Sequence, residues 1–254
     1  MKGLGYVAFA GGMHVIFALG LPALPAAADG GSSDEYRLTL ASHQTVHGDF
    51  TGFGELGFYW NPERDYETYT VLWPGFIYSA ATWVQISGGL RTLYTDDKHR
   101  AESIELRPFG GLKLFLPNSL QWSIYNHTRY EFRDTQNRDT FAWTEESRIR
   151  SRFGLEVPLT GREQAWQPHS WYALASLEPF YRFDEDTVDP LQIRAGIAHI
   201  LGDGIHLELI YNAQLSRPSG GGALALSENI FTLNVKIGLH HGLLRRLQIP
   251  NHDD

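Results

Sequence analysis

Polar and apolar residues alternate along residues 120–157 with a period of two. Between Gln121 and Arg133 the odd positions carry polar or charged side chains, whereas most even positions are apolar or aromatic. After a polar turn over residues 134–139, the charged side chains from Glu146 to Glu156 fall on even positions, and most odd positions are apolar. Because a β-strand points successive side chains to opposite faces, this pattern predicts two adjacent strands between two different environments.

Similar aromatic-rich runs, separated by Gly, Pro, Asn and Asp, continue along most of the chain, and none has a convincing helical period. The predicted strands are Glu35 to Gln44, Phe50 to Trp60, Tyr66 to Tyr78, Trp83 to Tyr94, Glu102 to Leu116, Leu120 to Arg133, Phe141 to Val157, Trp171 to Phe183, Leu191 to Leu201, Ile205 to Ser216 and Ile230 to Leu239. Bacterial single-chain membrane barrels have an even number of strands. We therefore expect ten strands, if the first run does not cross, or twelve.

The lengths of the connections between these strands suggest an orientation. Residues 117–119 and 202–204 form tight connections, whereas residues 95–100, 184–190 and 217–229 form longer polar ones. Outer-membrane barrels have short periplasmic turns and longer outer loops. This rule places the three long loops at the cell surface and the C-terminus in the periplasm, although the linker 160–170 is long and falls on the periplasmic side.

The N-terminus predicts the compartment. Lys2 precedes an apolar run from Tyr6 to Leu24, and the small residues Ala26 to Ala28 fit a cleavage site. We interpret residues 1–28 as a cleaved secretory signal and residues 29–254 as a single domain. No later segment has the roughly 20 consecutive apolar residues of a helical membrane span. The mature chain is therefore expected either in the periplasm or in the outer membrane as a barrel.

Composition favours the second of these locations. A net charge of −8 argues against a nucleic-acid partner, and the absence of cysteine excludes thiolate metal sites and suits an oxidising compartment. Tryptophans expected near the predicted strand ends, where they would meet lipid headgroups, are Trp60, Trp73, Trp83, Trp122, Trp143 and Trp171. We predict an all-β fold, a transmembrane antiparallel up-and-down β-barrel of 10–12 strands with a polar, charged lumen. Its partners would be outer-membrane lipid, lipopolysaccharide and, during biogenesis, the barrel-assembly machinery.

One face of the predicted strands carries a set of charged residues that we call the charged ladder. Its members are Arg129, Glu131, Arg133, Glu146, Arg148, Arg150, Arg152, Glu156, Glu178, Arg182, Arg194, Glu208 and Lys236. Two interpretations remain open. Cross-strand Arg–Glu pairs would satisfy each other and close the lumen of a structural envelope protein. Alternatively, an arginine-lined constriction would select small anionic solutes.

Several short runs also resemble a known family. They are Glu105-Leu106-Arg107-Pro108, Thr128-Arg129-Tyr130-Glu131-Phe132-Arg133, Ser147-Arg148-Ile149-Arg150-Ser151-Arg152, Val157-Pro158-Leu159, Leu177-Glu178-Pro179-Phe180 and Leu191-Gln192-Ile193-Arg194-Ala195-Gly196. Over residues 48–239 the chain resembles the DUF2490 family of bacterial outer-membrane proteins. The resemblance implies an outer-membrane barrel and supplies no catalytic residues.

Two other classes of protein remain as alternatives. A lipid-modifying enzyme would need a nucleophile and a base, and the available candidates are His169 beside Ser170, His127, and His206 with Glu208. Adjacent strand residues point to opposite faces, and neither a G-x-S-x-G nor an H-E-x-x-H motif is present. We therefore expect no enzyme, no cofactor and no metal. A soluble periplasmic binding barrel would place the charged ladder on its outer wall.

Overall fold

The computed structural model describes residues 32–160, 166–202, 204–218 and 222–238. Its strands are β1 (Ser33–His47), β2 (Phe50–Asn61), β3 (Tyr66–Ala81), β4 (Val84–Asp97), β5 (Ser103–Leu116), β6 (Ser123–Asn137), β7 (Trp143–Pro158), β8 (Trp171–Arg182), β9 (Thr187–Gly202), β10 (Ile205–Ser216) and β11 (Ala225–Ile237). None of the described residues belongs to a helix long and apolar enough to cross a membrane. The predicted signal segment 1–28, Asp203 of one predicted turn and Leu239 of the last predicted strand lie outside the described residues.

The strands form one closed barrel, which confirms the predicted all-β barrel fold. Each strand pairs antiparallel with the next in sequence, and β1 closes the barrel by pairing parallel with β11. The expectation of an even number of strands was wrong, and the first predicted run does pair on both sides. With eleven alternating strands the first and last run in the same direction, so only a parallel pair closes the barrel.

The barrel has two rims, which we name by the ends of the chain. The upper rim, where β1 begins, carries the connections 62–65, 98–102, 138–142, 183–186 and 217–224, and the lower rim carries 48–49, 82–83, 117–122, 159–170 and 203–204. β9 and β11 begin earlier than predicted and shorten two upper loops. β6 begins at Ser123, later than predicted, because Gln121 turns with a positive φ of 59°. The longest connection, 159–170, is on the lower rim.

The outer wall of the barrel is apolar. The large apolar side chains on the outward positions are well exposed, and they include Leu38, Leu40, Leu56, Phe58, Val71, Ile86, Leu112, Phe153, Leu177, Ile197, Leu209 and Leu233. Five of the predicted end-of-strand tryptophans, Trp60, Trp83, Trp122, Trp143 and Trp171, are exposed at or near strand ends. Trp73 is also exposed but lies in the middle of β3, contrary to the prediction. Such a wall is unfavourable in water, because it exposes a contiguous apolar surface to the solvent.

A glycine on β7 accommodates an inward aromatic ring. Gly154 pairs directly with Tyr125 of β6, and a Cβ at Gly154 would lie 2.2 Å from the Tyr125 ring. We expect Gly154→Ala to lower the free energy of unfolding by about 1 to 3 kcal/mol through overpacking. Urea unfolding in detergent micelles checks this. The same substitution in a Tyr125→Ala background should cost clearly less, and equal costs in both backgrounds would contradict the contact.

Candidate functional site

The centre of the lumen is built on two buried glutamates, each shared between arginines. Glu131 of β6 is fully buried and pairs with Arg129, with Arg148 at 2.6 Å and with Arg150 at 3.5 Å. Glu178 of β8 pairs with Arg150 and, at 2.7 Å, with Arg152. The alternation on β6, β7 and β8 brings these side chains to one face, and neighbouring strands supply opposite charges. Arg150 thus connects both glutamates into one network.

A second cluster lies nearer the upper rim. Arg133 of β6 pairs with Glu105 of β5 and with Glu146 of β7, both at 2.7 Å. Arg107 pairs with Glu105 at 2.5 Å, and Arg182 of β8 lies 3.2 Å from Glu146. Four adjacent strands are therefore tied together through carboxylates that each contact two guanidinium groups. Such charge-assisted pairs satisfy buried donors and acceptors that would otherwise be costly.

Glu208 of β10 forms the third cluster, nearer the lower rim. It accepts hydrogen bonds from Tyr172 Oη at 2.9 Å and from Asn234 Nδ2 at 3.1 Å, and it pairs with Lys236 at 2.5 Å. Across the three clusters the structure brings all of the charged ladder into ion pairs except Glu156 and Arg194. In the part of the chain that the structure describes, neither of these two has an ion pair within 4 Å. Glu156 instead acts electrostatically on Lys113 of β5.

Sequence reasoning missed a fourth cluster at the parallel closure. Glu35 of β1 pairs with Arg37 and accepts a hydrogen bond from Tyr66 of β3, and the same hydroxyl lies 3.3 Å from Glu228 of β11. Farther along the wall, Arg91 of β4 pairs with Glu55 of β2 at 2.7 Å. The signal was present, because Glu35, Arg37 and Thr39 alternate with Tyr36 and Leu38. The predicted ladder omits this polar run, because a ten-strand barrel would not include the first strand.

These clusters surround a cavity of about 870 Å³. Its wall is strongly cationic, since the basic residues that line it are Arg37, Arg64, Arg91, Arg100, Arg107, Arg129, Arg133, Arg148, Arg150, Arg152, Arg194 and Lys236, against the acids Glu35, Glu55, Asp97 and Glu105. The two central glutamates do not line it, because they are buried behind their arginines. Twelve basic residues line the cavity against four acidic ones, and Glu131, Glu178 and Glu208 behind the wall offset part of this excess.

The cavity extends to the upper rim, and a packed layer lies at the lower rim. Asp97, His99 and Arg100, at the end of β4 and in the β4–β5 connection, line the cavity. Near the lower rim, Tyr172 and Ile200 are buried against Trp166 of the 159–170 connection, in an apolar cluster with Ala198. The Trp166 indole donates a hydrogen bond to the backbone oxygen of Gln121 at 3.0 Å. The longest connection therefore packs its tryptophan onto inward-facing residues.

The enzymatic candidates lie near the lower rim and along the lumen wall. The Ser170 hydroxyl donates to the backbone oxygen of Gln167 at 2.6 Å, and the His169 backbone amide donates to Ile200. His127 faces the lumen next to arginines of the central network, and His206 contacts the Tyr172 ring edge-on. Among the described residues, no group of three or more His, Cys, Asp or Glu side chains has the arrangement of a metal site.

Comparison with known protein families identifies the family of this chain. The model of the family described as "Protein of unknown function (DUF2490)" matches residues 37–224, which run from the middle of β1 to the end of the β10–β11 connection. The matched region contains every residue of the charged ladder except Lys236, and the predicted resemblance is therefore confirmed. No curated protein matches the chain.

Proposed function

Because this chain belongs to the DUF2490 family, which is described as being of unknown function, we propose that it is an outer-membrane β-barrel with an ion-paired lumen that does not conduct freely. One observation carries the proposal. The barrel has its charges inside and its large apolar side chains outside, as a wall facing lipid requires. A soluble barrel needs the reverse arrangement, with an apolar core and a polar outer wall.

The side chains inside the lumen favour a closed barrel over a wide pore. Glu131 and Glu178 hold arginines of β6 and β7 on one side of the interior, and the layer of Trp166, Tyr172 and Ile200 packs near the lower rim. Below the cavity, the packed side chains of this layer leave little room for hydrated ions to pass. The proposed role is that of an envelope protein with a polar cavity that opens at the upper rim. The proposal includes no catalytic step.

The test has two parts, both made on the mature chain 29–254. In cells, the protein should remain with the outer membrane after osmotic shock, and its release into the shock fluid would overturn the membrane proposal. Refolded into planar bilayers, protein whose insertion has been verified by protease protection should give no discrete conductance steps. Frequent steps in several independent refolding preparations would contradict the closed lumen.

A second candidate function is a narrow anion-selective pore, and the cationic wall of the cavity favours it. Twelve basic residues against four acidic ones would attract anions and repel cations. This candidate predicts conductance steps whose reversal potential in a salt gradient indicates anion preference. The bilayer experiment above therefore separates the two candidates directly.

A further inference from the structure

Arg194 differs from the other arginines of the charged ladder. It lies half-way along β9 and lines the cavity. Within the described residues its guanidinium group makes neither a hydrogen bond nor an ion pair, whereas the other ladder arginines each contact a carboxylate. The side chain is half-buried, and a guanidinium carries five N–H donors. A molecule that enters the cavity can therefore reach these donors.

The immediate surroundings of Arg194 offer a second unused group. Asn212 of β10 pairs directly opposite Arg194, is 4 % exposed, and has a side-chain carbonyl oxygen with no hydrogen-bond partner among the described residues. Directly opposite residues have Cβ atoms about 4.5 to 5.5 Å apart, so one small molecule can contact both side chains. Both residues line the cavity.

Charges of both signs act on Arg194. Arg152 has the strongest effect and repels it, whereas Glu178 and Glu208 attract it. The nearest shared carboxylate, Glu178, is already engaged by Arg150 and Arg152. An anion entering the cavity would therefore be attracted by the cationic wall and would relieve the repulsion between Arg152 and Arg194.

We propose that Arg194 and Asn212 bind a small oxyanion that carries a hydroxyl group, such as hydrogen phosphate or a hydroxycarboxylate. Two oxygens of the anion accept hydrogen bonds from the guanidinium fork, and the hydroxyl donates to the Asn212 carbonyl oxygen. This inference rests on the proposed cavity of the closed barrel and names the class of solute that occupies it. An oxyanion without a hydroxyl, such as sulfate, leaves the Asn212 carbonyl unpaired and binds more weakly.

The test is calorimetric titration of the mature chain folded in zwitterionic detergent micelles at pH 7. Sodium phosphate and sodium lactate are titrated separately, with sulfate and chloride as comparisons at matched ionic strength. We expect saturable binding of phosphate or lactate. Sulfate should bind with an affinity at least about tenfold lower. Whichever of phosphate and lactate binds with the higher affinity identifies the solute as phosphate-like or carboxylate-like. Absence of saturable binding, or equal affinity for sulfate, overturns the proposal.

Two variants locate the site. Arg194→Gln should weaken binding about tenfold or more, because it removes the charged fork, and should not lower the thermal stability of the empty protein, because no ion pair is lost. The matched control is Arg100→Gln in the β4–β5 connection, which removes another cation from the cavity wall and should change affinity less than twofold. Equal weakening in both variants would indicate general electrostatic attraction and overturn the assignment.

Two further variants keep the test decisive if Arg194→Gln does not fold. Arg194→Lys retains the charge without the fork and should bind with intermediate affinity, and Asn212→Ala should abolish the preference over sulfate. Unchanged affinity in the first, or an unchanged preference in the second, contradicts the proposal. Because binding is measured in micelles, its failure is independent of the fractionation and conductance results that test the proposed function.

Discussion

Replacing Glu131 by Gln is expected to lower the free energy of unfolding by about 3 to 5 kcal/mol. Glu131 is fully buried and is shared by Arg129, Arg148 and Arg150. The substitution preserves the shape of the side chain but removes its charge. Three guanidinium groups then remain inside the barrel with one central carboxylate, Glu178, which already serves Arg150 and Arg152. The energetic cost is that of uncompensated buried charge.

The measurement is the urea concentration at the midpoint of unfolding in detergent micelles, followed by tryptophan fluorescence. The matched control is Glu63→Gln, the same chemical change at an exposed position of the 62–65 connection, where we expect a change within about 0.5 kcal/mol. Similar midpoints for the two variants would mean that the central network does not hold the barrel together.

Replacing Leu209 by Arg is expected to destabilise the inserted barrel by about 2 to 4 kcal/mol. Leu209 lies near the middle of β10, faces outward and is 59 % exposed. In a bilayer this position would lie near the midplane, where a guanidinium loses its hydration. In water the same substitution would place a charge on a solvated wall and would cost almost nothing. The variant therefore distinguishes a membrane barrel from a soluble one.

Folding into lipid vesicles along a urea series gives the required free energy. Leu116→Arg is the matched control, because Leu116 is equally exposed at 61 % but is the last residue of β5, at the lower rim. Near the interface the cost of an arginine falls to about 0 to 1 kcal/mol. A soluble location would be indicated if both variants folded without loss and without lipid.

Much of the fold could be predicted from the chain because its evidence is local. A strand directs successive side chains to opposite faces wherever it lies, so the alternation around Glu131 and Arg150 identified strands and grouped the charges on one face. Errors occurred where local evidence was weak. The starts of β6 and β7 were misplaced because Gln121 and Phe141 adopt positive φ angles in the turns.

The sequence by itself determined which side chains share a face, the approximate number of strands and the excess of arginine over glutamate on β6 and β7. Only the tertiary structure decided that eleven strands close through a parallel β1–β11 pair and that Arg91 reaches Glu55 across β3. It also decided that Arg194 pairs with no carboxylate of the described strands and loops. The physical reason is that pairing depends on the register around the whole barrel. Register is a long-range property set jointly by every strand, whereas alternation is a property of each strand alone.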